Sequence, residues 1–317
     1  MALLPIDEVH ALQIQAGALG RKAGHEFEDS ITQKINQIEY PFETLSQKNK
    51  HLLTGDPAVL LLNYIARQER LDVVKQAVAI STGALATSEE GKKWLSVNGA
   101  RVFRCKSDLV LTLIDKNKNR ITVGVSTKQC NNPTPSNAQL YFTTARGFSN
   151  LLKANGIPVG PSAVNALRQF CGDSGFRPSD SAKYNSRISD PRRFFWEEID
   201  ATGRAEWEGL FSNKQDEISK LLLQKAYMDD PFTPDYLLHK TKAALNWNET
   251  EVAIYKIDEL VTLSRKYQGF CTKPYSVKKG SYKDPAGVTH LGSMQLCVEG
   301  LTFRSRLWGR TGWPAGA

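Results

Sequence analysis

Two apolar stretches joined by a short polar turn constrain this chain more than any other feature. Residues 108–114 and 120–127 are dominated by β-branched and leucine side chains, and Asp115-Lys116-Asn117-Lys118-Asn119 lies between them. Asn and Asp tolerate the backbone angles of tight turns, so the pattern predicts an antiparallel hairpin with at least one buried face. A further strand is expected over 101–105.

Around the hairpin the texture changes. Residues 1–95 read as mainly helical: Phe27, Ile31, Ile35 and Ile38 fall at helical spacing, and 59–74 continues in the same manner. Gly55-Asp56-Pro57 predicts a turn and helix start between the two. After the hairpin, a Pro/Asn-rich loop over 131–137 leads to an expected helix over 138–154. Residues 155–200, rich in Gly, Pro, Ser and Arg, predict a long irregular surface region. Helices are expected over 205–225 and 234–242, and β structure from Val252 onward. No linker composition interrupts the chain. The expected layout is one α/β domain over 1–317: a mainly helical part (1–95), a sheet with its following helix (96–155), and a decorated C-terminal part (156–317).

The hairpin also concentrates chemistry. Lys106-Ser107-Asp108 opens its first strand and Ser126-Thr127-Lys128 ends its second, so antiparallel pairing brings Asp108 and Lys128 to one end of the sheet. Ser126 and Lys128 are two apart and therefore share a face. A carboxylate suits a hard cation such as Mg²⁺, and a lysine can orient water and steady phosphate charge, which together suit phosphodiester hydrolysis.

The charge balance points to a polyanionic partner. A formal charge of +8 and a pI near 9.1 favour phosphate neutralisation with counterion release. The five cysteines form no C-x-x-C pair and the five histidines are scattered, which argues against a zinc centre or a disulfide framework. With no basic-then-apolar start, a cytoplasmic setting is expected. No apolar run approaches the roughly 20 residues of a membrane span, so no membrane partner is expected. Nor is there a G-x-x-x-x-G-K-[ST] loop, so no nucleotide cofactor is expected.

Over roughly residues 20–145, this arrangement resembles the PD-(D/E)xK nuclease superfamily, home of most type II restriction endonucleases. Asp108 matches the acid that begins one strand and Lys128 the lysine that ends the next, with Ser126 where the middle acid usually stands: an S-x-K variant. Such variants take the missing carboxylate from elsewhere in the fold. The helix after the lysine offers Gln139, and the first acid beyond it is Asp173. Upstream, Gly24-His25-Glu26-Phe27-Glu28 resembles the G-x-x-x-E helix that family members lay against the catalytic sheet. Glu28 is the preferred second carboxylate and Glu26 the alternative.

The resemblance implies an α/β fold with a central mixed β-sheet flanked by helices. It implies a type II endodeoxyribonuclease of a prokaryotic cell, cutting double-stranded DNA with Mg²⁺. Asp108 and Glu28 would be metal ligands, and Lys128 and Ser126 would complete the catalytic set. A homodimer matching a palindromic target is expected. Candidate DNA contacts are Arg146, Arg177, Arg187, Arg192 and Arg193, with Lys183, Tyr184 and Asn185 nearby. Lys278, Lys279 and Gln295 resemble a Q-R-K-G-like segment near the end of several restriction enzymes. Arg304, Arg306 and Arg310 with Trp308 and Trp313 form a basic-aromatic tail whose tryptophans are expected to anchor it. His239, expected on a short helix, reads as a packing residue. Ser126 leaves room for a non-catalytic DNA-binding protein. A repair or recombination nuclease, and a base-excising restriction enzyme insensitive to chelation, stay open as well.

Overall fold

The computed structural model describes residues 25–47, 50–82, 105–134, 145–181, 194–225 and 232–265, and the backbone of the strand segments 96–97, 100–101, 270–276, 289–298 and 301–304. The chain falls into two compact units, Met1–Pro135 with Asp229–Lys256, and Ser136–Met228 with Ile257–Ala317.

The first unit is built on a mixed sheet. In chain order its strands are β1 (Phe42–Glu43), β2 (Leu52–Gly55) and β3 (Val73–Ser81); a separate two-stranded ribbon of β4 (Ser96–Val97) and β5 (Ala100–Arg101) follows. Then come β6 (Leu109–Asp115), β7 (Arg120–Gln129), β8 (Pro234–Lys240) and β9 (Thr250–Lys256). The seven strands of the sheet lie in the order β1-β3-β6-β7-β8-β9-β2, and β7–β8 is the parallel pair in an otherwise antiparallel ladder. Parallel neighbours need a crossover, and here it runs through residues 130–233. The fold is α/β with a mixed central sheet, as expected.

Helix α1, described over 25–37, and α2 (Pro57–Gln68) supply the apolar cover. Phe27, Ile31 and Ile35 form one stripe on α1, and Leu61, Leu62 and Ile65 one on α2. Both join Leu109, Leu111, Leu113, Val123, Val125, Tyr236, Leu238, Val252 and Ile254 in one core cluster. Alternate residues on β6, β7 and β8 contribute, as a pleated strand requires. Fully buried side chains such as Ile31 and Ile35 each contribute about 1.5–3 kcal/mol. Asn36 ties α1 to β3: its amide donates to the Ala79 carbonyl at 2.9 Å and accepts from the Ala79 N–H at 2.8 Å. Asp56 caps α2, its side chain accepting from the Ala58 N–H at 2.8 Å, with Pro57 in the first turn.

The hairpin turn forms as expected. Asp115 Oδ1 accepts from the N–H groups of Asn117 and Asn119 at 2.7 and 2.8 Å, and Lys118 adopts φ 67°. Strand β7 runs to Gln129, two residues beyond expectation.

Three sequence expectations give way. Within 1–95, helix α2 stops at Gln68, Arg70 adopts φ 58°, and Val73–Ser81 is a strand. Residues 234–240 form β8, not a helix, because β8 lies between β7 and β9 and buries Tyr236, Leu237, Leu238 and His239 on both its faces. A short continuous apolar run has no period that separates buried strand from buried helix. Residues 155–200 include a helix, Pro161–Cys171, opened by Gly160 and Pro161 and closed by Gly172 at φ 71°. Those Gly and Pro residues punctuate a helix rather than mark a loop.

The second unit holds α3 (Ala145–Ala154), α4 (Pro161–Cys171), α5 (Ala201–Asn213), α6 (Gln215–Gln224) and α7 (Ile257–Ser264), and a sheet of β10 (Phe270–Ser276), β11 (Thr289–Val298) and β12 (Leu301–Arg304). Its helical core is aromatic: Trp207 stacks between Phe148 at 5.8 Å and Phe211 at 5.3 Å. Gly203 lets α5 approach α4, where any Cβ would meet the Ser162 carbonyl and, at 2.6 Å, the Ala166 methyl. The expected helix over 138–154 is described from Ala145 onward, and 102–104 of the expected early strand lie outside the described residues. Among the described residues, no helix is long and apolar enough to cross a membrane.

Candidate active site

Backbone pairing positions Asp108. Its N–H donates to the Val125 carbonyl at 2.8 Å and its own carbonyl accepts from the Thr82 N–H at 2.9 Å. The residue thus extends the β3–β6–β7 ladder by one rung and is held on both sides. Ser107 is anchored beside it, donating from Oγ to the Phe232 carbonyl at 2.7 Å and accepting at its carbonyl from Thr82 Oγ1. Gly124 makes this approach possible, since a Cβ there would strike Ser107 Oγ and lie 2.6 Å from the Thr233 carbonyl.

The side chains converge. Asp108 Oδ2 accepts from Ser126 Oγ at 3.0 Å and from the Thr127 N–H at 2.7 Å, and lies 3.6 Å from Lys128 Nζ. Lys128 Nζ donates to Ser126 Oγ at 3.0 Å and to the Thr127 carbonyl at 2.5 Å. Ser126 therefore donates to the acid and accepts from the lysine. Its hydroxyl links the two groups that the hairpin brings together. The Asp108 and Lys128 side chains are 27% and 22% exposed, so a ligand can reach them from solvent.

Glu28 joins from the helix. It stands three residues before Ile31 on the inner stripe of α1 and is 6% exposed, whereas Glu26 is exposed. Its Oε1 accepts from Thr127 Oγ1 at 2.7 Å, and its Oε2 is buried with no hydrogen-bond partner among the described residues. Burial, and then the neighbouring Asp108 charge, push its carboxyl up from 4.5 to about 8, against the Thr127 bond and the Lys128 charge. Thr127 alternates with Ser126 and Lys128 along β7, so the strand presents the hydroxyl for Glu28 on one face and the Asp108 partners on the other.

An orphaned buried carboxylate oxygen and a second, repelling carboxylate are both relieved by a hard divalent cation. Asp108 and Glu28 are the two carboxylates here that would hold such a cation, with water completing its shell. Among the described residues, no group of three His, Cys, Asp or Glu side chains could hold a metal.

His239 was not singled out for chemistry by its sequence context. It lies opposite Lys128 in the parallel β7–β8 register, is 2% exposed, and its Nδ1 has no hydrogen-bond partner among the described residues. Burial, and then the Lys128 charge, lower its imidazole from 6.5 to about 4, so it is neutral at physiological pH. Its assignment to a helix hid the pairing. Thr127 was equally inconspicuous, although its place between Ser126 and Lys128 already put it on the opposite face.

Those expected DNA-contact residues that are described lie in the second unit. Arg146 is exposed in the first turn of α3, and Arg177 is exposed with Nε donating to the Gly172 carbonyl at 2.8 Å. Gln295 lies in β11, opposite Cys271 and Arg304. Lys183, Tyr184, Asn185, Arg187, Arg192, Arg193, Lys278, Lys279, Arg306, Trp308, Arg310 and Trp313 lie outside the described residues, as does Gln139. Asp173 is engaged in an ion pair with Arg168 at 3.1 Å.

No protein family matches the chain, and no curated protein matches it. Among solved structures, it is similar to a crystal structure of restriction endonuclease MspI in complex with its cognate DNA. The identity is 13%, with 69% of this chain and 74% of that one covered and a TM-score of 0.38.

Proposed function

We propose that this protein is a Mg²⁺-dependent endodeoxyribonuclease of the PD-(D/E)xK superfamily, acting on double-stranded DNA as a type II restriction enzyme does. The observation that carries the reading is the convergence of Asp108, Ser126, Lys128 and Glu28 at one end of the β6–β7 hairpin. The net charge of +8 suits a phosphate-rich substrate.

Asp108 and Glu28 would hold the metal, which when bound would supply positive charge that acidifies water and offsets charge on the phosphate. Lys128 would orient the attacking water and stabilise the negative oxygens of the five-coordinate phosphate. Ser126 would keep Lys128 and Asp108 in register. The water oxygen would bond to phosphorus as the opposite P–O bond breaks, the water losing a proton to solvent and the leaving oxygen taking one up from solvent. Arg146, Arg177, Arg187, Arg192, Arg193, Lys278, Lys279 and Gln295 are our candidates for DNA contact. A homodimer would match a two-fold target.

Incubating purified protein with phage DNA of known sequence, with Mg²⁺ or with EDTA, tests this. Discrete fragments that need Mg²⁺ support a site-specific nuclease, and their ends give the target. A second reading, a DNA-binding protein without catalysis, is favoured by Ser126 in place of an acid. Salt-sensitive binding without cleavage in Mg²⁺ would establish it. Cleavage without sequence preference would point instead to repair or recombination.

A further inference from the structure

We propose that His239 is the positioning residue for Lys128: its Nδ1 accepts a hydrogen bond from the lysine ammonium once Asp108 is engaged by a cation. The inference rests on the nuclease reading above.

The geometry begins with the register. Lys128 on β7 and His239 on β8 are direct partners in the parallel pair, on strands about 4.8 Å apart with side chains on one face. The ammonium has three protons. Two go to Ser126 Oγ and the Thr127 carbonyl, and the third side of the group faces Asp108 at 3.6 Å. The Asp108 contacts with Ser126, Thr127 and Lys128 all fall on Oδ2, which leaves Oδ1 for a divalent cation, whose charge would repel the Lys128 ammonium and weaken the ion pair. With a cation on Asp108, Lys128 keeps only a weakened ion pair at a half-buried position. Such a charge needs another acceptor.

His239 meets that need. It is 2% exposed, and its Nδ1 is buried without a hydrogen-bond partner among the described residues. A buried acceptor left unpaired costs stability, and each such atom in a folded protein calls for an explanation. As Nε2–H tautomer, the imidazole presents Nδ1 as a lone-pair acceptor. Its low basicity keeps it neutral, so it accepts from the ammonium without adding a second positive charge beside it. His239 would keep Lys128 aimed at the phosphate without touching substrate or metal itself.

The test uses the full chain with ¹⁵N-labelled histidine, Mg²⁺ alone as probe, and calorimetry to establish that Mg²⁺ binds. The expected result is a shift of the His239 Nδ1 resonance on Mg²⁺ addition in the wild type and none in Lys128→Met. On DNA, His239→Phe should slow single-turnover cleavage roughly 10- to 100-fold at unchanged DNA affinity, with His239→Gln restoring most of the rate. Mg²⁺ binding with no Nδ1 shift, or the same shift in Lys128→Met, overturns the inference while the nuclease reading stands. So does undiminished cleavage by His239→Phe. Absence of Mg²⁺ binding removes the nuclease reading and the inference with it. The resonance measurement decides even where His239→Phe fails to fold.

Discussion

Thr127 Oγ1 donates to Glu28 Oε1 at 2.7 Å, joining a helix to a strand across 99 positions of sequence. The neighbouring peptide N–H of the same threonine donates to Asp108 Oδ2 at 2.7 Å. One residue thus holds both candidate metal carboxylates, one through its side chain and one through its backbone. Thr127→Val keeps the shape and the backbone bond but removes the hydroxyl, leaving Glu28 without a buried hydrogen-bond partner. The expected loss is about 1–3 kcal/mol of stability, read by urea denaturation. An unchanged midpoint would mean that the bond does not form in solution.

Glu28 makes stability depend on pH. Its carboxyl is pushed up from 4.5 to about 8 in the folded chain, with burial as the main cause. Below 4.5 both states are protonated and the contribution is fully present. As pH rises the unfolded chain ionises first, so stability falls until the folded group ionises near 8. Glu28→Gln should flatten that decline when melting temperature is followed between these two limits. A wild-type profile without a decline would contradict the assignment.

On the proposed reading, the same raised carboxyl would tie metal uptake to proton release. Mg²⁺ binding should strengthen by roughly tenfold per pH unit below the Glu28 value and level off above it. Calorimetry in buffers of different ionisation enthalpy would reveal the released proton. Glu28→Gln should lose both the affinity and the proton.

Asp108→Asn keeps the hydrogen bonds that position the residue but removes the charge offered to a cation and to Lys128. Cleavage should fall by about 10²–10³-fold or more while DNA binding is kept or improved, since a repelling charge is gone. Retained cleavage would exclude this site as the reaction centre.

Gly124→Ala addresses the scaffold. Its new methyl would press on Ser107 Oγ and lie 2.6 Å from the Thr233 carbonyl, and the backbone carbonyl cannot swing away. The substitution should cost about 1–3 kcal/mol and shift β8 relative to β7. A lowered melting temperature together with slower cleavage would link that close approach to the site.

The hairpin was legible because its signals are local. The β-branched and leucine-rich runs 108–114 and 120–127, the Asp115–Asn119 turn and the two-residue step from Ser126 to Lys128 all concern neighbours in sequence. The stripe of Phe27, Ile31 and Ile35 likewise announced a core-facing helix and placed Glu28 at its inner edge. The run 234–240 was not legible in the same way, because both its faces are buried and no local turn ties it to its parallel partner β7.

The sequence by itself determined which residues could carry charge and chemistry, and that Asp108 would meet Ser126 and Lys128 across a hairpin, since period and turn type settle a local register. Only the tertiary structure distinguished Glu28 from Glu26 in surroundings, by burying the first against Thr127 and leaving the second in solvent. It alone set β8 beside β7 after a crossover through residues 130–233, and so brought His239 to Lys128. Pairing between distant strands depends on how the sheet closes over its core, a property of the assembled chain that no local pattern encodes.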